Sequence, residues 1–169
     1  VIIMQSHDSY EEEVSMAKSL YSSRVSGIIC SIGMKTIDTS HFQQFVNNNI
    51  PVVFVDRVPK DFNTFRVIID NYAAGYKATK HLIDQGCKRI AHITAGSEFG
   101  NLYNERKRGY IDALKQYNLP VEKELMVDLK TVTYNEALKA SNRLLDLKNR
   151  PDGVFASGDI MAVSAIQSA

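Results

Sequence analysis

The stretch Val67–Gly96, VIIDNYAAGYKATKHLIDQGCKRIAHITAG, decides the fold class. Val67, Ile68 and Ile69 form a short apolar run that suits a buried strand. Asp70 and Asn71 follow, and their side-chain oxygens can accept from the free N–H groups that open a helix. Ala74, Ala78 and Leu82 recur at i, i+4 and i+8, which lays one stripe of small apolar residues along that helix. Gly86 predicts its end in a left-handed conformation. Lys88 and Arg89 lead into a second strand, Ile90 to Thr94, which closes on Ala95-Gly96. The pattern predicts a parallel β-α-β unit.

The same alternation runs outward in both directions. Upstream, strands are expected at Val1–Met4, Ile28–Ser31 and Val52–Val55. Ser9 to Glu12 fits a capping box opening a helix with Val14, Ala17, Leu20 and Tyr21 on one side. Phe42, Phe45 and Val46 mark another helix. Val52–Val55 is apolar at every position, as strands of helix-covered parallel sheets are. Downstream, Tyr110, Ala113, Leu114 and Tyr117 share a helix face, and Gly109 within it implies close approach to a neighbouring backbone. Leu125–Asp128 reads as a strand. Thr133 to Glu136 is a second capping-box match, Val154–Ser157 a strand, and Asp159 the cap of a last helix. The class is α/β, with strands expected in two parallel sheets, the first four in one.

Composition narrows function. The 169 residues are 44% hydrophobic with a net charge of +1, so no basic footprint for nucleic acid or acidic lipid exists in these residues. Cys30 and Cys87 have no metal-type spacing and read as core or edge residues of a reducing, cytoplasmic protein. No apolar run approaches the ~18 residues of a membrane span. No signal peptide is legible. The chain opens on Val-Ile-Ile without a start methionine and reads as a piece of a longer protein. Motifs for dinucleotides, phosphates, zinc peptidases and serine hydrolases are absent, so nothing proposes an enzyme, a cofactor or a metal.

In doubly wound sheets, ligands gather beyond the carboxyl ends of the strands. Those ends carry Ser6, Ser31, Asp56, Arg57, Thr94, Ser157, Gly158 and Asp159. Arg106 stands near a helix start, where the dipole disfavours a cation, so a hydroxyl-rich or anionic group is expected to hold it. Phe62, Phe99 and Tyr103 are loop aromatics available to pack on C–H faces. This set suits a small neutral polyhydroxylated ligand. His7, His41, His81 and His92 are scattered, and His92, mid-strand, is expected to be packed. Asp56 at a strand end also allows a phosphoacceptor receiver domain, although that reading needs an acidic pair near the first strand and a lysine after the last.

Several segments taken together resemble the effector-binding core of the lactose-repressor (LacI/GalR) family of bacterial transcription regulators. They are Val25-Ser-Gly-Ile-Ile29, Ile50-Pro-Val-Val-Phe-Val-Asp-Arg57, Asp70-Asn71 with Gly75, His81-Leu-Ile-Asp-Gln-Gly86 and Lys88-Arg-Ile-Ala91. Arg106-x-x-Gly109-Tyr110 with Ala113, Pro151-Asp-Gly-Val-Phe-Ala156, and Asp159-x-Met161-Ala162 continue the family order. The resemblance implies a type I periplasmic-binding-protein-like fold of two doubly wound subdomains, residues 1–69 and 70–169, both incomplete, with an effector cleft between them. It implies that Arg106 contacts the effector and that Asp56 lines the cleft from the other subdomain. Where the family often has a ligand-binding asparagine, this chain has Gly158. The implied partners are a sugar-like effector, a second copy of the chain, and operator DNA through an N-terminal headpiece that these residues lack. The family's first core strand, between those matching Val1–Met4 and Ile28–Ser31, is also missing, which predicts association through unpaired edges. A periplasmic sugar-binding protein of a transporter is the alternative within the same fold.

Overall fold

A computed structural model describes residues 1–96 and 101–169, and of Asn101 the backbone only. The chain divides into two compact units, Val1–Ile69 and Asp70–Ala169. Each holds one three-stranded, all-parallel sheet with helices packed on it.

The first unit contains α1 (Tyr10–Ser22), β1 (Ile28–Cys30), α2 (Gln43–Asn47), β2 (Val52–Val55) and β3 (Phe65–Val67), with β2 central. Its core is aromatic: Phe42 and Phe62 each meet Phe54 edge-to-face, at centroid distances of 5.2 and 5.4 Å. Phe62, expected as a free loop aromatic, is therefore core. Two strands differ from expectation. Val1–Met4 is exposed chain that joins neither sheet. A strand exists only through a neighbour's N–H and C=O groups, and this segment instead faces a cavity of about 970 Å3 that β1 also lines. The other strand lies two residues earlier than Val67–Ile69. Asp56 turns left-handed after β2 (φ 58°) and gives its N–H to the Val67 carbonyl. The ladder ends there, so Ile68 and Ile69 stay exposed rather than buried.

The second unit contains α3 (Asn71–Asp84), β4 (Ile90–Ala95), α4 (Asn101–Gln116), β5 (Met126–Leu129), α5 (Tyr134–Leu145), β6 (Gly153–Ala156) and α6 (Asp159–Ser168), in sheet order β5-β4-β6. All six residues of β4 are buried. The helix and second strand of Val67–Gly96 occur as read, but of the first strand only Val67 lies in the stretch, and β3 and β4 lie in different sheets. The stretch joins the two units and is not a β-α-β crossover. Three strands, not four, share the first sheet. Two separate three-stranded sheets also leave no receiver-type single sheet around Asp56.

Local signals explain the helix ends. Asp70 caps α3 by accepting from the Ala73 N–H at 2.8 Å, and Gly86 ends it at φ +96°. The two capping boxes form by half. Ser9 and Thr133 accept from the N–H groups of Glu12 and Glu136. The return bond is missing: the Ser9 N–H goes to the Ser6 carbonyl, and the Glu136 carboxylate takes Thr131 Oγ1 and the N–H groups of Lys130 and Thr131. Those bonds, the Thr131 hydroxyl foremost, hold the Glu136 carboxyl below its ordinary pKa. Asp159 is the first residue of α6, and extended Gly158 is its cap position.

The helices α3 and α4 cross at glycines. A Cβ on Gly109 would stand 2.2 Å from the Tyr72 carbonyl, and one on Gly75 would stand 2.2 Å from the Arg106 carbonyl. The close approach expected at Gly109 therefore has its counterpart at Gly75. The innermost face of α3 is Gly75 and Thr79, one residue round from the Ala74–Ala78–Leu82 stripe.

Candidate functional site

At the carboxyl ends of β1 and β2, the chain gathers charge. Arg57 Nη2 lies 3.3 Å from Asp8 Oδ1, and the same carboxylate oxygen accepts from the Met34 N–H at 3.0 Å. The Arg57 backbone N–H reaches Ser31 Oγ at 3.4 Å, while its carbonyl takes the Ile32 N–H. Arg57 thus fastens the loop after β1. Its Nε is buried without a hydrogen-bond partner among the described residues. Asp56, beside it, is exposed.

Behind this pair sits a carboxylate that the sequence did not single out. Glu13, 7% exposed on α1, accepts from the Gly33 N–H at 2.6 Å, from Thr36 Oγ1 at 3.1 Å and from His41 Nε2 at 3.0 Å. Three donors from one loop compensate the desolvation of a buried charge. His41, read as one of four scattered histidines, is therefore the loop's anchor. Its partner lies 28 residues away, a separation that no local pattern reveals.

In the second unit, Arg106 occupies the second turn of α4, past the dipole-sensitive first turn. Its Nε donates to Asn71 Oδ1 at 2.9 Å and its Nη1 to the Ser157 carbonyl at 2.6 Å. The group expected to hold it is thus a pair of neutral oxygens from the chain itself. Ser157 is fixed in turn, with its backbone N–H and its hydroxyl both donating to the Ile93 carbonyl. The structure therefore brings Arg106 to the strand end that carries Gly158 and exposed Asp159. A Cβ added at Gly158 would meet nothing within 4 Å. Tyr103 is half-buried on α4. Phe99 lies outside the described residues. The sequence offers Asn71 as a possible cap and as part of the Asp70-Asn71 resemblance, but its spacing of 35 residues from Arg106 gives no signal of this bond.

Other titratable groups belong to the packing. His92 is stacked between Tyr110 and Phe155, at 4.8 and 4.6 Å, and Nδ1 donates to the Phe155 carbonyl at 2.9 Å. Burial lowers its pKa to about 4, so it is neutral in the fold. Burial likewise pushes the Cys30 thiol up to about 12 and raises that of Cys87, which makes both poor nucleophiles. Among the described residues, no group of three His, Cys, Asp or Glu could hold a metal ion, and no helix is long and apolar enough to cross a membrane.

The chain is similar to known proteins along its whole length. The family described as periplasmic binding proteins and sugar binding domain of LacI family matches residues 1–169. Catabolite control protein A of Priestia megaterium is 27% identical over the whole chain, which covers 50% of that protein. The HTH-type transcriptional repressor PurR of Actinobacillus pleuropneumoniae serotype 5b is 31% identical over 149 residues, 88% of this chain and 43% of that protein. A LacI family transcriptional regulator from Lactobacillus casei, solved with bound glucose, superposes with a TM-score of 0.76 at 25% identity, over 99% of this chain and 62% of that one. The chain spans about half the length of the curated relatives it matches.

Proposed function

Because the chain belongs to the family of periplasmic binding proteins and LacI-type sugar-binding domains, we propose that it is the effector-sensing core of a cytoplasmic, dimeric transcription regulator. Residues 1–69 and 70–169 are its two effector-binding subdomains, and the effector is a small sugar-like metabolite. Asp56 serves it from the first, with Arg57 fixing the loop beside it; Arg106, Gly158 and Asp159 serve it from the second, with Tyr103 and Phe99 as aromatic neighbours. Operator DNA is bound by a headpiece outside these residues. The protein is a switch and not an enzyme: effector binding biases the dimer between operator-competent and incompetent states.

One observation carries this reading. Arg106 is held at a strand's carboxyl end by two neutral acceptors that engage two of its five N–H donors, and a guanidinium suits paired hydroxyls. Asp56 supplies the complementary acceptor. The test uses the full-length protein, DNA from upstream of its own coding sequence, and a panel of D-glucose, D-galactose and D-ribose. At least one sugar is expected to change DNA retention in the wild type and to leave the Arg106→Ala variant unresponsive, with its sugar-free DNA binding intact if the effector is an inducer. Sugars without effect on the wild type, or with equal effect on the variant, overturn the reading.

A further inference from the structure

We propose that Asn71 is a positioning residue for the effector: its side-chain oxygen sets the plane in which Arg106 presents its guanidinium. The inference rests on the effector role proposed for Arg106 and adds the residue that aims it. The backbone comes first. Gly75 and Gly109 let α3 and α4 touch along their main chains, with Gly75 directly against the Arg106 carbonyl. That crossing fixes the Arg106 Cα relative to the first residue of α3, which is Asn71. The side chain is left with several rotatable bonds, and two acceptors from two different elements restrain it: Asn71 Oδ1 on Nε–H, and the Ser157 carbonyl on Nη1. A planar fork held at two of its nitrogens keeps one orientation. Arginine only donates, so the Asn71 amide must turn its oxygen inward. The Ser157 contact is main chain and survives any substitution there; the Asn71 contact is a side chain and can be removed.

Asn71 is not needed to start α3, because Asp70 caps it. Alanine at the first helical position is a good helix former, so Asn71→Ala should keep α3 folded while freeing the arginine. The full-length protein is labelled with 15N, and the Arg106 Nε–H signal is identified by its loss in Arg106→Lys. Hydrogen exchange of that group should speed up by about tenfold or more in Asn71→Ala and stay within about threefold of wild type in Asn71→Asp, which keeps the acceptor. Exchange in Asn71→Ala equal to wild type overturns the inference. The second arm titrates whichever of D-glucose, D-galactose and D-ribose the wild type binds. Asn71→Ala should weaken it about threefold to tenfold. Loss of affinity in Arg106→Ala with none in Asn71→Ala overturns positioning and leaves the effector reading standing. Unchanged affinity in Arg106→Ala overturns the effector reading itself. If no sugar binds, the exchange measurement decides whether Asn71 aims the arginine.

Discussion

Two arginines stand beyond strand ends, one in each unit, and they are held in opposite ways. Arg57 faces a carboxylate, Asp8, and its Nε has no partner among the described residues. Arg106 faces an amide oxygen and a carbonyl oxygen. The first charge is compensated within the protein, and its service is to fasten a loop. Among the described residues no carboxylate pairs with the second, and two neutral oxygens fix its direction. A group that is oriented but not neutralised is suited to recognise something else, since a charge-assisted hydrogen bond is roughly twice as strong as a neutral one. On the proposed reading, the same residue type at the same kind of place does two jobs, and the acceptor chemistry separates them.

One expected effect breaks the comparison at its backbone. In Gly109→Ala, the new Cβ has only 2.2 Å to the Tyr72 carbonyl, and backbone cannot step aside as a flexible side chain could. Overpacking of this kind costs typically 1–3 kcal/mol, less the up to ~1 kcal/mol that Ala gains over Gly in a helix. Thermal unfolding should occur several degrees lower, and effector affinity should fall with it because Arg106 moves. An unchanged midpoint would show that α3 and α4 do not need this contact distance.

A second effect separates the units by pH. His92 is neutral in the fold, with a pKa near 4 against an unfolded value of 6.5. A depressed imidazole means that the unfolded state binds more protons, so the stability it confers is intact above pH ~6.5 and drains away between that and pH ~4. The full shift corresponds to up to about 3 kcal/mol at 1.36 kcal/mol per unit. Denaturant unfolding of the wild type should show this loss, and His92→Phe should flatten it. A slope shared by wild type and variant would assign the acid sensitivity to other groups.

Local signals carried much of the fold. Gly86, the Asp70 cap and Gly109 were each legible because a helix end or a crossing leaves its mark in one or two adjacent residues. The strand pairings were not. Val1–Met4 has an apolar strand's composition, and β3 begins two residues before the expected run; in both, the outcome depends on what lies alongside. At the site, residue types at strand ends pointed to Arg57 and Arg106 without telling them apart. Their distinguishing partners, Asp8 and Asn71, are 49 and 35 residues away in sequence, beyond the reach of any periodicity.

The smallest effect concerns the position beside Arg106's anchor. Gly158 is half-exposed at the cap of α6 with open space where a side chain would be. Gly158→Asn should alter stability by only a few tenths of a kcal/mol, in the stabilising direction, because Asn is the better cap. It should change which sugar is preferred while leaving the Arg106 contact in place. A midpoint lowered by several degrees would contradict the room seen there.

The comparison between the arginines is tested most directly by calorimetric titration of the full-length protein with its effector. Wild type, Arg106→Ala and Arg57→Ala are measured side by side. Hydrogen bonds to a charged group contribute about 1.5–3 kcal/mol each, so Arg106→Ala should weaken binding by about tenfold to over a hundredfold. Arg57→Ala, which removes a partly exposed ion pair of about 1 kcal/mol or less, should weaken it less than about threefold. Equal affinities for wild type and Arg106→Ala, or the larger loss in Arg57→Ala, would contradict the account.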